Sequence, residues 1–69
     1  MRIKVDMESD ALYFRLSEDK VEESEETSPG IVIDYGKDGK IVGIEIIGIK
    51  DRFAPEELSQ MTVELPTVA

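Results

Sequence analysis

Sixteen carboxylates stand against eight basic side chains, with no His and no Cys, so the acidic residues are where chemistry must be sought in this chain. Two of them, Asp34 and Glu45, lie in stretches that read as paired strands. Carboxylates brought together on one face can exchange a proton or hold a divalent cation. A second group, Asp6-x-Glu8-x-Asp10, resembles the opening of a calcium loop, which needs Gly at its sixth position and a bidentate Glu at its twelfth. Ala11 and Ser17 stand there instead. The expected structure is a turn in which Asp6 or Ser9 bonds nearby backbone N–H groups. The third group is Glu22, Glu23, Glu25 and Glu26. Alternation along a strand puts Glu22 and Glu26 on one face and Glu23 and Glu25 on the other, a poor arrangement for one metal. It suits a solvated edge that resists aggregation, or a docking surface for a basic protein.

The elements that would position these residues follow from periodicity. Ile3 and Val5 alternate with Arg2 and Lys4, a period-2 strand over residues 2–6. Residues 11–17 form a second strand, with Leu12, Phe14 and Leu16 on one face and Ala11, Tyr13, Arg15 and Ser17 on the other. Residues 18–26 hold six carboxylates and Lys20. Residues 21–27 read as a short, charge-protected edge strand beside the second one, with Val21 next to Leu16 and Arg15 opposite Glu22.

Ser28-Pro29-Gly30 is a break. Ile31–Gly36 and Lys40–Gly48 then flank Asp38-Gly39, a strong hairpin signal. Taking Asp38-Gly39 as a two-residue loop sets Lys37 opposite Lys40, Tyr35 opposite Val42, Ile33 opposite Ile44 and Ile31 opposite Ile46. One face is then wholly apolar. The other carries Val32, Asp34, Ile41, Gly43, Glu45 and Ile47, with Asp34 opposite Gly43 and Glu45 opposite Val32, so that the two acids are diagonal neighbours. A glycine in mid-strand, Gly43, signals close approach of another group, such as a ring from a neighbouring strand. Past residue 54, Pro55 suits a first helical position and Glu56-Glu57 the positive end of a helix. Phe53 and Leu58 are spaced as a hydrophobic staple. Residues 62–65 read as a strand or an extended tail that Pro66 ends.

Composition restricts the function classes. The chain has 69 residues, a formal charge of −8, 41% hydrophobic and 35% charged residues. That is enough apolar matter for a core, although a chain this short leaves much of its surface uncovered. Without Cys there are no disulfides or thiolate zinc sites, and without His no imidazole ligand and no His-activated nucleophile. Self-association is the remaining route to a larger core. The acidic surface repels phosphates, so nucleic acid and anionic membranes are not expected partners. No run of about 18 apolar residues is present and no apolar leader follows Met1, so a cytoplasmic protein is expected.

The run Asp6-x-Glu8-x-Asp10-Ala11-Leu12-Tyr13-Phe14-Arg15-Leu16, then Glu23-Ser24-x-Glu26-x-x-Pro29-Gly30-Ile31-Val32-Ile33-Asp34-Tyr35, then Asp38-Gly39-x-Ile41-Val42-Gly43-Ile44-Glu45-Ile46, resembles a family of small uncharacterised prokaryotic proteins catalogued only as a domain of unknown function. The likeness spans about residues 3–48. Val5, where the family often has an aromatic, and Gly36, where it often has an acid, depart from it. The resemblance implies a small β-rich domain and gene neighbours that resemble toxin genes. It supplies no catalytic residues.

The sequence thus predicts an α+β, mostly β fold: one domain over residues 1–69, an antiparallel β-meander of four to five strands, and one short C-terminal helix, with 62–69 as a tail. The expected core is Ile3, Val5, Leu12, Phe14, Leu16, Ile31, Ile33, Tyr35, Val42, Ile44 and Ile46. No catalytic, cofactor or metal residues are assigned. The expected function is a non-enzymatic, self-associating interaction module, a homodimer first. Its alternatives are an acidic, antitoxin-like neutraliser of a basic partner and a carboxylate–metal enzyme built on Asp34 and Glu45. The candidate contact residues are Tyr13, Glu22, Glu26, Val32, Asp34, Ile41, Glu45 and Ile47.

Overall fold

Alternation and β-branched side chains set five antiparallel strands in a computed structural model that describes residues 1–67. The strands are β1 (Arg2–Asp6), β2 (Ala11–Arg15), β3 (Glu23–Ser28), β4 (Ile31–Tyr35) and β5 (Ile41–Ile47). Two single-turn helices follow, α1 (Ile49–Arg52) and α2 (Pro55–Leu58). The fold class is the expected one.

The chain path through the sheet is not a plain meander. The strand order is β1-β2-β5-β4-β3, a Greek-key arrangement in which β2 lies beside β5 and β3 closes the far edge. The expected pairing of residues 21–27 with the second strand, and of Arg15 with Glu22, is therefore replaced. The reason is apolar matching. β5 offers Ile46 to Leu12 and Ile44 to Phe14, whereas all six residues of β3 are polar and exposed. β3 pairs with β4 alone, Glu25 opposite Ile33 and Ser24 opposite Asp34.

The connection from β2 to β3 crosses the end of the β4–β5 hairpin. Leu16 and Ser17 both donate their N–H to Val42 O (2.8 and 3.2 Å), and Glu22 N–H reaches Tyr35 O (2.8 Å). Arg15 holds the crossing from within: Nε donates to Ser17 O (2.6 Å) and Nη2 to Asp19 O (2.7 Å). Gly36 lets it pass closely, since a Cβ there would meet Val42 Cγ2 at 2.7 Å and Lys20 O at 3.3 Å.

The β4–β5 register matches the expected one from Ile31–Ile46 to Asp34–Gly43 and then shifts, with Tyr35 opposite Ile41. The loop has three residues, Lys37-Asp38-Gly39, with Asp38 and Gly39 at φ 65° and 75°. Gly36 N–H bonds Lys40 O (2.7 Å). A three-residue loop with left-handed residues at its end is a common hairpin closure, and Val42 is the extra residue that restores register, a β-bulge. The expected Lys37–Lys40 facing is absent, and Lys40 Nζ lies 3.6 Å from Asp19.

The register aligns Ile3, Phe14, Ile44 and Ile33 in one row, and Val5, Leu12, Ile46 and Ile31 in the next. This is the expected apolar face, yet it is only half-buried. Among the described residues, Val42 and Ile49 are the side chains with no exposure, while Ile3 keeps 38%. Ile49 belongs to α1, a helical turn where the sequence predicts a connection, and it adds a core residue beyond the expected eleven. The expected helix at Pro55 is present as α2. Glu57 Oε1 accepts the Ala54 N–H (2.8 Å), and the stapling residues Phe53 and Leu58 are both half-buried. Residues 59–67 leave the last helix without forming a strand. Val68 and Ala69, the end of the expected tail, lie outside the described residues.

The turn between β1 and β2 does two jobs. Asp6 Oδ1 accepts the Glu8 and Ser9 N–H groups (3.1 Å each), and Oδ2 accepts the Ser9 hydroxyl (3.1 Å). These bonds, those from Ser9 foremost, hold the Asp6 carboxyl below its usual range. The expected turn is thus present. Asp10 does something unexpected. At φ 54°, it takes the Gly48 and Ile49 N–H groups on its carbonyl (2.8 and 3.3 Å) and the Lys50 N–H on Oδ1 (2.9 Å). The main-chain carbonyl of a residue in a distant turn thereby holds Ile49, while the carboxylate of the same residue caps α1. Asp10→Ala removes that acceptor and should cost about 1–2 kcal/mol, read as a lower urea midpoint at unchanged slope. Asp10→Asn, which keeps an acceptor oxygen, should retain most of the stability.

Candidate functional site

Gly43 sits at the centre of the second face, opposite Arg15 on β2 and Asp34 on β4. Without a side chain there, a ring from β2 can lie across β5. Tyr13 does so: a Cβ on Gly43 would stand 2.5 Å from its hydroxyl oxygen and 2.9 Å from Cε1 and Cζ. The Tyr13 hydroxyl donates to Asp34 Oδ2 (2.9 Å), and the Ser24 hydroxyl donates to Asp34 Oδ1 (2.6 Å). Arg15 Nη1 donates to the Tyr13 oxygen (3.4 Å). That bond, first among the causes, strengthens the hold of Arg15 on its proton. Four strands are tied through one tyrosine and one carboxylate.

The sequence reading therefore has Asp34 and Glu45 correctly on one face, and Tyr13 with them. The structure brings Tyr13 and Asp34 into contact. Glu45 stands opposite both Tyr13 and Val32 and, with Lys4, Asp6, Ser9, Ala11 and Tyr13, lines a shallow hollow of about 320 Å³. Val32 is half-buried between Glu26 and Glu45 in register. Glu26 bends back to accept the Gly30 N–H on Oε2 (3.2 Å). Glu22 is exposed at the entry to β3. Ile47, 41% exposed, ends β5 opposite Ala11. Ile41, 43% exposed, is out of phase with Val32 and Ile47, because the bulge sets it opposite Tyr35.

Asp34 spends both oxygens within the sheet, which is what a structural carboxylate does. Among the described residues no three of His, Cys, Asp or Glu cluster so as to hold a metal ion, and no helix is long and apolar enough to cross a membrane. The sequence reading missed Ser24 and the loop-holding role of Arg15. Ser24 could have been found only from the β3–β4 register, which the sequence does not fix. A carboxylate beside a mid-strand glycine was the available signal for Tyr13.

The other exposed feature lies across the sheet. Met1, Ile3 and Phe14, with residues 61–65 of the C-terminal segment, line an apolar groove of about 750 Å³. Met61, Val63 and Leu65 alternate along that segment and keep 55%, 65% and 82% of their surface exposed.

Residues 2–50, from β1 into α1, match a family described as a protein of unknown function, DUF2283. The chain belongs to this family. The resemblance drawn from residues 3–48 is thereby the right one, and the DUF2283 match takes in all five strands, the Tyr13–Asp34 clamp and Ile49. Neither a curated protein nor a solved structure matches the chain.

Proposed function

We propose that this DUF2283 protein is a self-associating, non-enzymatic interaction module whose first partner is a second copy of itself. The observation that carries this reading is the uncovered apolar face. Eight apolar side chains line up in two rows of the sheet, and among the described residues only the Val42 and Ile49 side chains are fully buried. The molecule measures 38 × 36 × 18 Å, with a radius of gyration of 13.6 Å. A compact chain of this length would have about 11 Å. One sheet with a partial second layer is short of the burial that stabilises a domain of this size. Occupation of Asp34 by Tyr13 and Ser24 also supports a structural reading of the acid pair over a catalytic one.

Sedimentation velocity across a range of concentrations tests this. The expected species has twice the 7.7 kDa chain mass at micromolar concentration. A single 7.7 kDa species at about 100 μM, where a millimolar or tighter dimer would already show, would overturn it. A second reading rests on β3, whose exposed carboxylates border an open edge: docking of a basic protein, visible as several kilodaltons of added mass when the chain is isolated gently from its cells.

A further inference from the structure

The two open edges of the sheet differ in charge. β3 presents Glu23, Glu25 and Glu26, with Glu22 before them, and its register breaks between Glu26 and Ser28. Pairing it with its own copy would set carboxylate against carboxylate. β1 is different. Its five residues pair with β2 without a register shift, and no backbone hydrogen bond joins it to any other segment among the described residues. Its sequence is charge-palindromic: Arg2 at one end, Asp6 at the other, Ile3 and Val5 between them on one face.

Building on the self-association reading, we propose that two copies join antiparallel along β1 about a two-fold axis at Lys4, making a continuous ten-stranded sheet. In this register Arg2 opposes the partner's Asp6, Ile3 opposes the partner's Val5, and Lys4 opposes the partner's Lys4. Each favourable pair occurs twice, as an isologous interface requires. The lysines meet once, on the exposed face, where water screens them. Arg2 grips Glu18 through Nε and Nη2 (3.0 Å each) and keeps Nη1 for the partner. The Asp6 carboxylate keeps its charge through its own turn. The occupant is a second copy because, among the strands of the described residues, β1 itself is the one that complements β1 in charge and apolar face together.

Paired strands of five residues give less than the roughly 800 Å² per partner of a stable interface. The apolar groove borders this same edge, since Met1 and Ile3 line it. Continuing the sheet doubles that groove across the axis, so Met1 (88% exposed) and Leu65 (82%) gain an apolar neighbour. The β3 edges stay outward, charged and unpaired, which ends the assembly at two copies.

The absence of Cys makes cross-linking clean. In Lys4→Cys, the two thiols face each other across the axis, and mild oxidation should convert most of the protein to a covalent dimer. Glu25→Cys, on the far edge, should stay at single-chain mass. Arg2→Glu should raise the dissociation constant about tenfold, because two exposed pairs turn repulsive. Glu18→Gln, which removes only the internal partner of Arg2, should leave it unchanged. A dimer by sedimentation that cross-links through Glu25→Cys, or through neither variant, would overturn this edge and leave self-association standing. A monomer by sedimentation that also fails to cross-link overturns both.

Discussion

Ile49→Ala is expected to leave most of the chain unfolded at 25 °C. Ile49 has no exposed surface, and its position is fixed from two directions. Its N–H bonds the Asp10 carbonyl, and its own carbonyl accepts the Phe53 N–H (2.9 Å) that closes α1. Cutting a fully buried Ile to Ala costs about 2–5 kcal/mol. A domain of this size rarely holds more than about 3–5 kcal/mol, so the loss is comparable to the whole. Urea unfolding followed by circular dichroism, at fixed protein concentration because association shifts the midpoint, measures it. Ile49→Val, which removes one methylene, should lose about 0.5–1.5 kcal/mol and stay folded. An Ile49→Ala midpoint equal to the parent's would mean that α1 does not anchor the apolar face.

Gly43→Ala is the second large effect, and its sign depends on Tyr13. Alanine normally favours a strand over glycine by about 0.5–1 kcal/mol. Here the new methyl would lie 2.5 Å from the Tyr13 oxygen, so the ring must lift, and the Tyr13–Asp34 bond goes with it. Overpacking of this kind costs about 1–3 kcal/mol, and the half-buried acceptor adds to it. In a Tyr13→Ala background the clash is gone, and Gly43→Ala should be neutral or stabilising. The double-mutant cycle should therefore show a coupling of about 1–3 kcal/mol. Tyr13→Phe keeps the ring and loses only the hydrogen bond, about 0.5–1.5 kcal/mol. If Gly43→Ala costs the same with and without Tyr13, the ring does not rest on Gly43 in solution.

These two positions differ in how readable they were. Gly43 announced itself: a glycine inside an apolar strand needs a reason, and the hairpin register put it beside Asp34. Ile49 gave no signal, because its segment has neither a helical period nor a strand's alternation, and it is held by Asp10, far away in the chain. The strands and the apolar face follow from the period-2 pattern, which needs only nearest neighbours along the chain. The hairpin loop was one residue longer than Asp38-Gly39 suggested. Loop geometry depends on left-handed residues that Asp and Gly can supply in either closure, and the bulge at Val42 absorbed the difference.

The sequence by itself determined the acidic character, the exclusion of thiol and imidazole chemistry, an antiparallel sheet of four to five strands and which of its faces is apolar. Those rest on residue type and local alternation alone. Only the tertiary structure decided that β2 joins β5 while β3 goes to the far edge, that Tyr13 bridges to Asp34 over Gly43, and that Asp10 caps α1. Each of these is a choice between strands or turns distant in sequence. It is settled by which pairing buries the most apolar surface, and that quantity exists only once the whole sheet is assembled.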